Sequence, residues 1–258
     1  MTRNLLGYSV YANSLNDCAN EMVAASLNGL RTCKVMACLN PHSYVVARRD
    51  QPFSAALHNM DWLIPDGTGV VKAAKWLGKP LNGRVTGPDV FEQTLHIQNA
   101  NGGSVFFLGA SEGTLTKIRE RLARDFPNVT LAGTYSPPFK PEFSDADNAA
   151  MIAAVNAASP DLLWVGMTAP KQEKWLAAHR DQLNVGAAGA VGAAFDFFAG
   201  TVKRSHPVFR QLGLEWLPRL LQQPRRLWRR MFVSAPIFLG DVAREKLRPG
   251  SIGTPSDT

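Results

Sequence analysis

The apolar run Val105-Phe106-Phe107-Leu108, entered from Ser104, breaks at Gly109-Ala110-Ser111-Glu112-Gly113. A helical pattern then continues from Glu112 to Phe126, and a second apolar run follows at Val129–Ala132. A buried strand, a small-residue turn, a helix and another strand make a strand–helix–strand unit, whose two strands lie parallel. The same alternation extends in both directions. Further candidate strands are Lys34–Leu39, Asp61–Pro65, Asp161–Val165 and Val185–Gly189, and a second helical stretch covers Ala149–Ala157. The predicted fold is α/β: a Rossmann-like, mostly parallel sheet with helices on both faces.

Open sheets of this kind bind ligands beyond the carboxyl ends of their strands, so the residues just after each strand carry the functional reading. They are Asn40-Pro41-His42-Ser43, Asp66-Gly67-Thr68-Gly69, Gly109 to Gly113, Gly166-Met167-Thr168-Ala169-Pro170-Lys171-Gln172-Glu173, and Gly192-Ala193-Ala194-Phe195-Asp196. Small residues and helix N-termini gathered on one edge let backbone N–H groups hold phosphate. Asn40, Gly109, Gly166, Lys171 and Asp196 stand at that edge as candidate nucleotide and substrate contacts.

The 258 residues are 45% hydrophobic and 19% charged, enough for a sizeable core. No basic segment followed by an apolar run stands at the N-terminus, so no secretory signal is expected. The longest weakly polar run, Val185–Ala194, falls short of the ~20 residues of a bilayer span. Cys18, Cys33 and Cys38 show no CxxC spacing and read as reduced thiols.

Charge divides the chain. Residues 1–202 hold 17 basic and 17 acidic residues, whereas 203–258 hold 11 basic and 4 acidic, which is the whole net +7. The domain reading follows: 1–202 an α/β catalytic body, 203–248 a basic, aromatic helical appendage, and 249–258 a disordered tail. Within the appendage, proline-punctuated helical segments are expected at Val208–Leu221, Arg225–Val233 and Pro236–Leu247. Trp216, Trp228, Phe232 and Phe238 are interleaved with arginines, which suits a helix lying in an anionic membrane interface. The plainer alternative is a helical cap whose aromatics pack on the body.

Taken singly, the candidate residues are ambiguous. An aspartate between proline and glycine, as Asp66 is, is more often a turn former or helix cap than a catalyst. Gly109–Gly113 lacks the full GxGxxG fingerprint and its downstream acid. Arg84 lies in the loop-like stretch Leu81–Pro88, where guanidinium is usually solvated yet is also the best grip for phosphate. Lys171 and Gln172 open a helix, either as surface polarity or pointing into the ligand edge. The five histidines do not cluster. No acidic pair of the DxD type stands near the ligand edge, and Asp145 and Asp147 read as part of a polar loop; no metal site is expected.

Taken together, the strings are specific. Asn40-Pro41-His42, Pro65-Asp66-Gly67-Thr68-Gly69-Val70, Arg84-Val85-Thr86-Gly87-Pro88-Asp89, Ala169-Pro170-Lys171-Gln172-Glu173-Lys174-Trp175 and Gly192-Ala193-Ala194-Phe195-Asp196-Phe197 resemble the WecG/TagA/CpsF glycosyltransferase family. So does the run from Lys203-Arg204 through Leu212-Gly213-Leu214-Glu215-Trp216-Leu217 to Pro224-Arg225-Arg226. The resemblance extends from about Leu6 to Leu247.

It implies an inverting, metal-independent transferase without a cofactor. Its donor is a UDP-sugar and its acceptor a polyprenyl-diphosphate-linked glycan, in cell-surface polysaccharide biosynthesis. The enzyme would sit peripherally on the cytoplasmic face of the plasma membrane, against anionic lipid. The resemblance also implies Asp66 as base, with Arg84 and Gln172 in the catalytic set and Arg219, Arg226 and Arg229 closing over the diphosphate. It further implies a substrate contact at the position of Cys38, where many members carry threonine and a thiol is the poorer hydrogen-bonding group. N-acetylmannosamine, its uronic acid and glucose are all candidate sugars, and Asn40-Pro41-His42-Ser43 with Cys38 lean the reading toward an exopolysaccharide glucosyltransferase. The oligomeric state stays open, a homo-oligomer included. Two rival classes are a nucleotide-dependent oxidoreductase, against which the incomplete dinucleotide fingerprint speaks, and a nucleic-acid binder using the basic end. No recognised DNA or RNA motif supports the second, so no nucleic-acid partner is expected.

Overall fold

The computed structural model describes residues 1–29, 31–204 and 228–247. It opens on a hairpin absent from the sequence expectations, β1 (Thr2–Leu5) paired antiparallel with β2 (Tyr8–Tyr11). Leu6 and Gly7 both take positive φ, 51° and 90°, the geometry of a two-residue turn whose twist matches the strands. Helix α1 (Leu15–Leu27) follows, its first turn closed by a reciprocal Ser14–Asp17 capping box.

The remaining order is β3 (Lys34–Leu39), α2 (Pro41–Ala47), α3 (Gln51–His58), β4 (Trp62–Pro65), α4 (Thr68–Trp76), α5 (Gly87–Asn101), β5 (Ser104–Gly109), α6 (Glu112–Asp125) and β6 (Thr130–Tyr135). Then come α7 (Asp145–Ala158), β7 (Leu162–Gly166), α8 (Lys171–His179), β8 (Ala187–Ala190), α9 (Ala194–Phe198) and the C-terminal α10 (Ala235–Leu247). The expected α/β class holds: strands β3 to β8 form one sheet in the order β4-β3-β8-β7-β5-β6, and every neighbouring pair is parallel. The six expected strands are all present, Lys34–Leu39 with the expected ends and the others with ends moved by at most three residues. Helix α7 starts four residues earlier than the apolar pattern suggests. Ser144 caps it in a reciprocal box with Asp147, so Asp145 and Asp147 belong to a first helical turn, not to a polar loop.

Strand alternation splits the core into two layers. Val35, Ala37 and Leu39 of β3 face a cluster with α2, α3, α4, α7 and α8, while Met36 faces α1, α5, α6 and α9. The small residues of β8 have a packing reason. A Cβ on Gly189 would stand 2.1 Å from the Trp164 ring, and Trp164 is fully buried. Chain order runs outward from β3 to β4 on one side and from β5 to β6 on the other, with β7 and β8 between them. The carboxyl ends of the central strands therefore open a crevice between the two halves.

Candidate functional site

The best-defined corner lies beyond β3 and β4. Asn40 caps α2: its Oδ1 accepts from the N–H groups of His42 (3.0 Å) and Ser43 (2.9 Å). That fixes the amide so that its Nδ2 faces Asp66 Oδ2 at 3.4 Å. Asp66 itself is tied across the sheet, its N–H donating to Leu39 O at 2.9 Å. The next residue, Gly67, has φ of 102°, a conformation that side chains rarely adopt, and it leads into α4 without a side-chain cap. Asp66 is thus a half-buried carboxylate at a strand end, beside a helix N-terminus and steadied by one amide donor.

Cys38, on β3, packs beneath this corner. Its Sγ stands 3.0 Å from where a Cβ on Gly87 would be, which brings the Arg84–Asp89 segment against the end of β3. Burial pushes the thiol well above its ordinary pKa, and the Asp66 and Glu173 carboxylates push it further. It remains a neutral thiol at physiological pH. Arg84 reaches Asp89 Oδ2 at 3.6 Å, and Arg204 reaches the other oxygen, Oδ1, at 2.7 Å. Asp89 also accepts from Thr86 Oγ1 at 2.6 Å, so one carboxylate gathers two guanidinium groups beside Cys38.

The far side of the crevice is built by β5, β7 and β8. Gly109 and Gly166 are small for packing reasons. A Cβ on Gly109 would stand 2.5 Å from Gly166 O, and one on Gly166 would stand 2.2 Å from the Phe195 ring. Lys171 turns to the loop after β6, where its ammonium bonds Lys140 O and lies 4.3 Å over the Phe143 ring. Gln172 faces inward at 4% exposure. Its Oε1 accepts from Met167 N–H at 3.1 Å, and its Nε2 donates to Glu173 Oε1 at 2.9 Å. Asp196 sits on α9, where its backbone carbonyl accepts from Val202 N–H at 3.2 Å and Thr201 Oγ1 at 3.1 Å.

Glu173 is the site residue that sequence reasoning passed over. It is 3% exposed, its Oε2 has no hydrogen-bond partner among the described residues, and burial lifts its pKa to about 7. A signal existed in the helical spacing, because Gln172 and Glu173 share the buried face of α8 with Trp175 and Leu176. Among the described residues, no three His, Cys, Asp or Glu side chains gather closely enough to hold a metal ion.

Of the appendage, Val208–Leu221 with Trp216, and Arg219, Arg225 and Arg226, lie outside the described residues. Arg229 is described and exposed. Arg230–Ser234 form a π-helical turn leading into α10. One correction concerns Phe238, expected in a membrane interface. It is 1% exposed and meets the Tyr44 ring edge-on at 5.5 Å. Ser234, Phe238 and Val242 recur every fourth residue and are all buried, so they form the stripe that α10 turns to the body. Polar contacts fix the docking. Asp241 accepts from Tyr44 (3.0 Å) and Arg48 (2.6 Å), Glu245 accepts from Lys79 (2.7 Å), and His42 Nδ1 pairs with Ser234 Oγ (3.0 Å). Trp228 and Phe232 stay on the outside at 53% and 61% exposure, their rings 5.7 Å apart, with Leu239 also exposed. No helix among the described residues is long and apolar enough to cross a membrane.

Comparison with known proteins gives this geometry a chemistry. A family profile described as Glycosyl transferase WecG/TagA/CpsF family matches residues 3–251. A Bacillus spizizenii protein named N-acetylglucosaminyldiphosphoundecaprenol N-acetyl-beta-D-mannosaminyltransferase is 35% identical over 207 residues, covering 80% of this chain and 77% of its own. A Staphylococcus aureus protein of the same name is 31% identical over 207 residues, covering 80% and 78%.

Proposed function

This chain belongs to the WecG/TagA/CpsF glycosyltransferase family, and from that premise we propose that it moves N-acetylmannosamine from a UDP-sugar onto an N-acetylglucosaminyl-diphosphoundecaprenol acceptor. Family membership sets aside the oxidoreductase and nucleic-acid readings. The names of the two relatives favour N-acetylmannosamine over the glucose toward which Cys38 and the Asn40–Ser43 string lean.

The observation that carries the mechanism is the Asn40–Asp66 corner. The acceptor hydroxyl attacks the anomeric carbon from the face opposite UDP, and Asp66 takes its proton as the new C–O bond forms. The bond to the diphosphate oxygen breaks with inversion, in keeping with the β-linkage in the relatives' names. Departing UDP carries the developing negative charge. Arg84, drawn beside the crevice by Asp89, and the N-terminal end of α4 are suited to stabilise it. Arg219, Arg226 and Arg229 are assigned to the diphosphate on the family resemblance. With cationic groups in that role, the reaction is proposed to need no metal.

Exposed Trp228, Phe232 and Leu239 beside Arg229 support a peripheral seat on the anionic cytoplasmic leaflet, where the lipid-linked acceptor is held. The test is UDP release with UDP-N-acetylmannosamine, its uronic acid and UDP-glucose, against a short-chain polyprenyl-diphosphate N-acetylglucosamine acceptor. Acceptor-dependent release with the first donor is expected. Release with UDP-glucose alone would overturn the sugar assignment, and release with none would overturn the transferase reading.

A further inference from the structure

A carboxamide looks nearly the same from either end, so its orientation in a protein is set by its neighbours. Gln172 has two such neighbours, one of each kind. Met167 N–H needs an acceptor and takes Oε1, while Glu173 Oε1 needs a donor and takes Nε2. The amide also lies against the turn after β8: its Oε1 and Nε2 stand 3.5 and 3.6 Å from where a Cβ on Gly192 would be. It therefore holds the loop leaving β7 and packs beside the turn after β8. Among the described residues the second Glu173 carboxylate oxygen is buried without a hydrogen-bond partner, and the one side-chain hydrogen bond the carboxyl receives is from Gln172.

We propose that Glu173 is a positioning residue for glycosyl transfer, locking the Gln172 amide so that its oxygen holds the β7–α8 loop and its nitrogen stays on the crevice side. One Nε2 hydrogen is engaged by Glu173. The same bond directs the other, which can then donate to an oxygen of the donor sugar or its diphosphate. Without the carboxyl, the amide loses one of the two contacts that tell its ends apart, and the Met167–Gln172 bond loosens with it. This inference rests on the proposed transferase reading for the part played by Gln172, and on the geometry alone for the lock.

The experiment uses the full chain as Glu173→Met, Glu173→Gln, Gln172→Ala and the Glu173→Met/Gln172→Ala double variant. Methionine fills the space of the glutamate with no more than a weak thioether acceptor, which keeps the core packed where alanine would leave a cavity. Hydrogen exchange at the Met167 amide reads the lock directly. Losing the bond should speed exchange about tenfold in Glu173→Met and Gln172→Ala, with Glu173→Gln close to wild type because its carbonyl still accepts from Gln172. UDP release reads the consequence. Glu173→Met should lower kcat about 10- to 100-fold with little change in KM. The double variant should be no slower than Gln172→Ala within about threefold, since two residues acting as one unit are not additive. Glu173→Gln should retain turnover within about threefold.

Wild-type exchange at Met167 in Glu173→Met, or kinetic losses that multiply in the double variant, would overturn the proposal. A wild-type protein that transfers no sugar would overturn the transferase reading alone, with the exchange measurement still deciding the lock.

Discussion

Replacing Glu173 by glutamine should stabilise the protein, and most at neutral to alkaline pH. Burial dominates the environment of this carboxyl and lifts its pKa from the ordinary 4.5 to about 7. The folded protein therefore holds the proton more tightly than the unfolded chain does. Stability is full below about pH 4.5, falls as pH rises toward 7, and is flat above, because there the fold must bury a charge whose Oε2 has no partner. The full displacement corresponds to about 3 kcal/mol.

Glutamine keeps the acceptor for Gln172 and cannot ionise. Its amide N–H2 meets the same surroundings as the acid O–H does at low pH, so the comparison isolates the charge. The lowered carboxylates of Asp125 and Asp147, each near 2, titrate alike in both proteins and cancel. At pH 5 the wild type has lost only about 1 kcal/mol of this contribution, and by pH 8 nearly all of it. The advantage of Glu173→Gln should therefore be larger at pH 8 by about 2 kcal/mol, or roughly 4–8 °C in Tm for a chain of this size. Urea and thermal unfolding of both proteins at pH 5 and pH 8 measure it. An advantage that does not change with pH, or a variant less stable at pH 8, would refute the claim that burial of the Glu173 charge outweighs the hydrogen bonds it receives.

Asp66→Asn should cut turnover by roughly 10²–10⁴-fold while UDP affinity changes little; steady-state kinetics within a few-fold of wild type would remove Asp66 from the role of base. Transfer should survive excess EDTA, and a complete loss restored by Mg²⁺ or Mn²⁺ would mean that a metal, not arginine, balances the diphosphate. Phe238→Ala should cost about 3–5 kcal/mol in urea unfolding, as expected for a buried aromatic, and a cost under about 1 kcal/mol would argue against α10 as part of the core. The paired substitutions Trp228→Ser and Phe232→Ser should leave stability nearly unchanged but weaken flotation with anionic vesicles, most visibly at raised salt; unchanged flotation would detach these aromatics from the membrane.

How much of this was legible in the sequence depends on whether a residue's role is set by its own segment or by a distant one. The sheet was legible because each strand is a short apolar run ending in a small-residue turn, and those features are local. The hairpin at Thr2–Tyr11 was not, since its turn places Leu6, an ordinary side chain, at φ 51°, where composition gives no warning. Phe238 was misplaced for a different reason. Arginines and aromatics were read as one amphipathic mixture, although position alone separates the buried stripe 234, 238, 242 from the exposed 228, 232 and 239. Glu173 was hidden by a sound general rule, that an acid in a first helical turn faces water and favours the helix dipole; the packing of α8 against the sheet overrides it.

The Asn40 and Asp66 strings show the opposite case. They lie 26 residues apart and look like two separate turns, yet β3 and β4 are neighbours in register, with Leu39 opposite Pro65. The parallel pairing delivers the cap of α2 to the carboxylate that precedes α4. The capping bonds that hold Asn40 Oδ1 are what leave Nδ2 for Asp66, so the helix cap and the catalytic corner are one structure. A substitution such as Asn40→Ala would disturb both at once, which is why Asp66 can be tested by itself and Asn40 cannot.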